Sequence, residues 1–238
     1  FPSGDRLMED FHYAGGLPAL MTRLAGQLSL GERNVNGRTL GENLEGVQVL
    51  DAEVIRPLDK PVSPNGALAV LRGNLAPEGA VMKARAASPK FFRHRGRALV
   101  FDNPAEMNAA CADPQLDCDE NTVLVLRNAG PVGAPGMPEW GGPLIPNKLL
   151  ALGVRDMVRI SDARMSGTHY GTCILHVSPE SAVGGPLALV ESGDWIEVDI
   201  AARRLHLDVA DDELARRRAA WHPAAAPYAR GYTRLYRE

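Results

Sequence analysis

The chain has 238 residues, 45% of them apolar and 23% charged, with a formal net charge of −3 at neutral pH. That length suits one large domain, or one domain with an appendage. The mildly acidic balance gives no electrostatic footprint for nucleic acid, and no apolar run approaches the ~20 residues needed to cross a bilayer.

In chain order, residues 5–28 place Leu7, Phe11, Leu17, Leu20, Leu24 and Leu28 at helical spacing, interrupted by Gly15, Gly16 and Pro18. The pattern predicts two short helices joined at the glycine pair. A further helical piece is predicted over 39–44. Pro57, Pro61 and Pro64 then give linker chemistry, and a domain boundary is placed near Pro61. Residues 1–60 are too few to bury much core of their own. Together with Phe1 in place of an initiator Met, they read as a short helical remnant of a larger N-terminal domain. Residues 61–238 read as a C-terminal domain.

Beyond the boundary, short β-rich runs alternate with Gly, Pro, Asn and Asp. Strands are predicted at 67–72, 81–84, 98–101, 122–127, 156–160, 172–177, 195–199 and 204–209. The last two alternate apolar and polar residues, as a hairpin with one solvated face does. Asn103, Pro104 and Glu106 supply an N-cap, a first-turn proline and a capping-box acid for a helix to about Ala112. Further helices are predicted over 147–152, stopping at Gly153, and over 211–220. Many strands with few helices predict a mixed α/β fold, a closed β-barrel of mixed strands flanked by helices. The late arginines Arg203, Arg204, Arg216, Arg217 and Arg218 are interleaved with acids over 208–213 and read as a solvated helix face. The start of the chain lacks a basic-then-apolar leader pattern. Cys111, Cys118 and Cys173 cannot all pair and match no common zinc spacing. Reduced thiols and a cytoplasmic location are expected.

Two segments carry the polar chemistry. RNAGPVGAPGMPEWGG (127–142) follows an apolar strand and is dense in glycine and proline, and Glu139 is the one ionisable side chain between Arg127 and Lys148. A carboxylate on a stiffened loop at a strand end suits a hard cation such as Mg2+, although the same composition more often marks an exposed turn. SDARMSG (161–167) follows the next apolar run and brings Ser161, Asp162, Arg164 and Ser166 to a strand end. Ser166 lacks the G-x-S-x-G frame of a hydrolase elbow. It acts as a base only where positive charge or hydrogen-bond donors stabilise the alkoxide; otherwise it is a capping serine. Arg164 either clamps a substrate carboxylate or pairs with Asp162. His176 in LHVSPE sits on a strand.

GNLAPEGAVMK (73–83), GPVGAPGMPE (130–139), ISDARMSG (160–167) and LHVSPESAVGGPLALV (175–190), in this order, resemble the dihydroxy-acid, sugar-acid (aldonate) and 6-phosphogluconate dehydratase family. The likeness runs from MEDFHYAGGLPAL (8–20) to GYTRLY (231–236), and GRTLGENL, SDARMSGT and RRLHLDV point toward the sugar-acid branch. The resemblance implies a C-terminal swivelling β-barrel preceded by the end of an N-terminal domain that binds an iron–sulfur cluster, of the 2Fe-2S kind, and most of the Mg2+ ligands. It implies Glu139 as a further Mg2+ ligand, Ser166 as an alkoxide base, and Arg164, Thr168 and His176 as substrate contacts. A tail beyond Glu238 is implied as well. The implied reaction is dehydration of a 2,3-dihydroxy acid, a sugar acid, to a 2-keto-3-deoxy acid. A branched-chain dihydroxy acid or 6-phosphogluconate is the alternative substrate, and a non-catalytic barrel serving as a binding or assembly module is the alternative role. The implied partners are the small acid and the chain's own N-terminal domain, in a homodimer or homotetramer, with no nucleic acid and no membrane.

Overall fold

The computed structural model describes residues 5–136, 144–165, 170–224 and 230–236. Glu139, Ser166 and Thr168 therefore lie outside the described residues. The chain divides into two compact units, one up to Gly66 and one from Ala67.

In the first unit, the helices α1 (Met8–Tyr13) and α2 (Gly16–Arg23) meet at the glycine pair, as the spacing predicts. A side chain at Gly15 has no room: φ is +113°, and a Cβ would fall 2.6 Å from that of Ala19 and 2.8 Å from the Gln48 carbonyl oxygen. Helix α3 (Leu40–Leu44) opens on a reciprocal cap. Thr39 Oγ1 accepts from Glu42 N–H at 3.2 Å, and Glu42 accepts from Thr39 N–H at 2.6 Å. Ala14, Ala19 and Ile55 form the small core of this unit, with Phe11, Leu20, Val47, Val49 and Val54 packed against them.

The second unit is a closed barrel of eight strands in the order β1-β2-β6-β5-β4-β3-β7-β8. The strands are β1 (Leu68–Gly73), β2 (Ala76–Lys83), β3 (Arg93–Phe101), β4 (Val123–Leu126), β5 (Arg159–Ser161), β6 (Cys173–Ser178), β7 (Trp195–Asp199) and β8 (Arg204–Asp208). β3, β4, β5 and β6 are parallel neighbours, while β2 with β6, β3 with β7, β7 with β8 and β1 with β2 are antiparallel. Closure is by a parallel pairing of β1 with β8 at Arg72 and Arg204.

The apolar alternation of β4 explains its place. Val123 and Val125 join the barrel core with Leu71, Met82, Ile160, Ile174, Ile196 and Leu205. Leu124 and Leu126 face a second core, built with Met107 and Cys111 of α4 (Pro104–Ala112) and Leu149 of α5 (Asn147–Ala151). Both faces of this strand are thus covered, as parallel strands require. The β7–β8 hairpin keeps Ile196, Val198, Leu205 and Leu207 inside, as its alternation predicts.

The structure differs from the sequence reading in four details. β2 starts at Ala76, ahead of the predicted position 81, with Pro77 and Gly79 inside it. β3 starts at Arg93, five residues early, because Arg93 and Arg95 are opposite Asp199 and Glu197 of β7, a cross-strand charge match hidden in a polar run. β5 starts late, at Arg159, because the buried Asp156 carboxylate accepts from Ser88 N–H, Thr172 N–H and Thr172 Oγ1 at 2.6–2.9 Å. Helix α4 is capped by Asn103 as expected, but Glu106 reaches one residue further back, accepting from Asp102 N–H at 2.8 Å.

Helix α6 (Asp211–Ala220) has no buried residue, and the solvated reading holds for Arg203, Arg204, Arg216 and Arg218, with Arg217 the exception among these arginines. Arg216 is exposed, but Arg217 lies against the barrel, donating to Asp194 at 2.6 Å and to the Leu189 carbonyl at 2.9 Å.

Candidate active site

Because β3 to β6 are parallel, their last residues, Phe101, Leu126, Ser161 and Ser178, share one end of the barrel. Ligands of parallel sheets collect at this carboxyl end. Both chemistry-bearing segments leave the barrel here, one directly after β4 and one directly after β5.

The stems of these segments are joined through Asp162, which is 1% exposed. Its Oδ1 accepts from Ala129 N–H at 2.9 Å, on the stem after β4. Its Oδ2 accepts from Ser181 N–H at 2.9 Å and from Ser181 Oγ at 2.5 Å, on the turn after β6. Ser181 Oγ in turn accepts from Asn128 N–H at 2.7 Å. One buried carboxylate after β5 and one hydroxyl after β6 therefore satisfy three backbone N–H groups at the ends of β4 and β6.

A second carboxylate holds the glycine-rich stem. Glu180 accepts from Val132 N–H at 2.8 Å and from Gly133 N–H at 3.2 Å. Gly130 makes this approach possible, since a Cβ there would lie 2.2 Å from Glu180 Oε2. Arg127, the first residue of the stem, pairs with Asp102 at the end of β3 and donates to the Ala188 and Val190 carbonyls at 2.9 and 3.1 Å. The stem is thus anchored from Arg127 to Gly133.

His176 lies on a β-bulge. β2 and β6 pair Val81 with Leu175 and Gly79 with Ser178, so β6 carries one residue more than its partner. His176 takes φ +53°, and its Nε2 accepts from Met165 N–H at 2.8 Å. Its own N–H donates to the Ala163 carbonyl at 2.9 Å. Burial first, and then the charge of Arg164, hold the imidazole below its ordinary value of 6.5. Arg164 is half-buried on the same stem.

Of the residues expected at the site, the structure thus describes Arg164 and His176. Asp162, Glu180 and Ser181 were missed as organisers. The signal for two of them lay in SPES, a polar turn directly after the His176 strand.

The thiols do not fit an iron–sulfur cluster. Cys111 and Cys173 are 2% exposed, and burial pushes both thiols up to about 11. Metal binding needs the thiolate. Cys118 is also raised, chiefly by burial. Among the described residues, no three His, Cys, Asp or Glu side chains come together to hold a metal ion.

Residues 53–238 match the family model described as dihydroxy-acid/6-phosphogluconate dehydratase C-terminal. The chain belongs to this family. Among similar dehydratases, it is 54% identical to 6-deoxy-6-sulfo-D-gluconate dehydratase of Pseudomonas putida, covering 100% of this chain and 42% of that protein. It is also 54% identical to L-arabonate dehydratase of Azospirillum brasilense, over 99% of this chain and 42% of that protein. With dihydroxy-acid dehydratase of Oleidesulfovibrio alaskensis the identity is 43%, over 98% of this chain and 43% of that protein. The chain therefore spans about two fifths of the length of the curated dehydratases it matches.

Proposed function

We propose that this chain is the C-terminal part of a hydro-lyase that dehydrates a 2,3-dihydroxy sugar acid to a 2-keto-3-deoxy acid. The observation that carries the reading is the Asp162–Ala129 hydrogen bond of 2.9 Å. It joins the stems of the two segments on which Glu139 and Ser166 stand. The higher identity with the two sugar-acid dehydratases, 54% against 43%, favours a sugar acid over a branched-chain acid. Residues 1–60 are then the helical tail of the N-terminal domain, and the barrel from residue 61 is the C-terminal domain.

Ser166 removes the proton from C2 as its alkoxide. The electron pair of the C2–H bond forms the C2–C3 double bond, and the C3 hydroxyl leaves as water with the proton that Ser166 had gained, which returns the serine to its alkoxide. The resulting enol tautomerises to the 2-keto acid, so the net change is loss of one water. A serine hydroxyl is far too weak an acid to be ionised unaided, so the base requires stabilisation by nearby positive charge or donors. Glu139, a carboxylate oxygen donor, would hold Mg2+, which supplies electrostatic stabilisation of the negative charge developing on the substrate. Arg164 and Thr168 bind the substrate's carboxylate and hydroxyl groups. The iron–sulfur cluster implied by the resemblance would take its thiolates from elsewhere in the longer protein.

The test is a panel of sugar acids and a branched-chain dihydroxy acid, assayed on the full-length enzyme and on its Ser166→Ala variant. Turnover of a sugar acid that disappears in the variant, with metal content unchanged, is expected. Substantial residual turnover in the variant removes Ser166 as the base. Preference for the branched-chain acid removes the substrate class.

A further inference from the structure

We propose that His176 is a positioning residue that sets the backbone entering Ser166 through its hydrogen bond to Met165, and that it makes no contact with substrate. The inference rests on Ser166 being the base.

The geometry is specific. A β-bulge inserts one residue into β6 opposite β2, between the Val81–Leu175 and Gly79–Ser178 pairs. Bulges re-aim side chains out of the strand's regular alternation. Here the bulge puts His176 at φ +53°, in the left-handed region that non-glycine residues rarely adopt. The conformation is kept in place from both sides: His176 N–H donates to the Ala163 carbonyl at 2.9 Å, and Nε2 accepts from Met165 N–H at 2.8 Å. A single residue thus clamps the 163–165 stem at two points, the second immediately before position 166.

An N–H donor facing Nε2 requires the lone pair there, so the proton of the neutral ring is on Nδ1. A protonated ring presents N–H at both nitrogens and cannot accept from Met165. Charged groups stand on the elements that adjoin β6. Arg164 is on the same stem. Glu78 of β2 accepts from Ser178 Oγ at 2.8 Å, and Asp162 and Glu180 are engaged with the backbone of the neighbouring turns. Of these, Arg164 adds to burial in keeping the ring neutral. The clamp is therefore intact at neutral pH and opens as pH falls through a value below 6.5.

The experiment compares two variants of the full-length enzyme that differ by one methylene. His176→Asn suits a left-handed backbone, so it folds, but its short amide cannot reach Met165. His176→Gln carries an amide oxygen at about the reach of Nε2 and does not titrate. His176→Asn is expected to lower kcat by about 100-fold, the scale of an ångström-sized misplacement of a catalytic group. KM should change little, and amide exchange in the 163–176 segment should speed up. His176→Gln is expected to restore both kcat and slow exchange, and to remove the acid limb of the pH–rate profile. Equal activity in both variants and wild type overturns the proposal. So does a Gln variant as slow as Asn, or a defect confined to KM, which assigns the ring to substrate. The exchange readout reports the clamp whether or not Ser166 is the base. Retained turnover in Ser166→Ala alongside an exchange difference between the His176 variants therefore sinks the base assignment alone.

Discussion

Ser181 Oγ donates to Asp162 Oδ2 at 2.5 Å while accepting from Asn128 N–H at 2.7 Å, so a single hydroxyl relays between the ends of β4, β5 and β6. Both residues are 1% exposed. Hydrogen bonds to a buried carboxylate are roughly twice as strong as neutral ones. Asp162→Asn turns an amide N–H2 toward groups that are themselves donors, leaving at least one buried N–H or O–H unsatisfied. The expected loss is about 2 kcal/mol, read as a melting temperature lower by roughly 5 °C. Ser181→Ala should lose less alone. The double variant should lose less than the sum, because both substitutions break the same bond. Additive losses would mean that the two residues act independently.

The Glu180 carboxylate holds Val132 and Gly133, six residues ahead of Glu139. Glu180→Gln keeps the shape but replaces one acceptor with a donor, so one of the two amides is left facing an N–H2 group. Residues that orient a metal ligand typically change affinity by about 10- to 100-fold when altered. Glu180→Gln should weaken Mg2+ binding by about tenfold in the full-length enzyme, and Glu139→Gln by more. A Mg2+ titration unchanged by Glu180→Gln would show that the stem does not set the ligand's position. One unchanged by Glu139→Gln would remove Glu139 from the ligand set.

Much of the architecture was legible in the sequence because its signals are local. The Val/Leu alternation of 123–126, the β7–β8 hairpin and the Asn103–Pro104 start of α4 all depend on neighbours in the chain. The organisation of the site was less legible. Asp162, Glu180 and Ser181 act across separations of 19 to 53 residues, through bonds to backbone N–H groups that any residue type carries. Composition cannot reveal such partners. The β-bulge at His176 was hidden for a similar reason, since an extra residue in a strand is visible only against its partner's register. The resemblance to dehydratases supplied Glu139 and Ser166, which the residues alone left open between chemistry and ordinary turns.

The thiols give a prediction in which the sign of the pH dependence is fixed. Burial pushes Cys111 and Cys173 up to about 11, because an apolar surround disfavours the thiolate. At pH 8 roughly one thiol in a thousand is ionised at such a value, and the reactive fraction rises only toward pH 11. Iodoacetamide at pH 8 should leave both cysteines unlabelled in the folded protein and label them once it is denatured. Cys118, half-buried and less strongly shifted, should react first. Rapid native labelling of Cys173 would contradict its place in the packed β6 strand.

Arg217 anchors α6 to the turn before β7. Its guanidinium donates to Asp194 at 2.6 Å and 3.1 Å and to Glu213 at 2.7 Å, and both Arg217 and Asp194 side chains are 11% exposed. Removing one member of a buried pair strands the other's charge, which destabilises by about 3 to 5 kcal/mol when burial is complete. With some solvent remaining, Arg217→Ala should lose nearer 2 to 3 kcal/mol. Arg217→Lys should recover only part of it, since an ammonium cannot span Asp194, Glu213 and the Leu189 carbonyl together. Asp194→Asn combined with Arg217→Ala should be less harmful than the two single losses added, because no isolated charge then remains. Chemical denaturation of the four proteins forms a complete cycle. A coupling energy near zero would show that the ion pair contributes nothing to holding α6 in place.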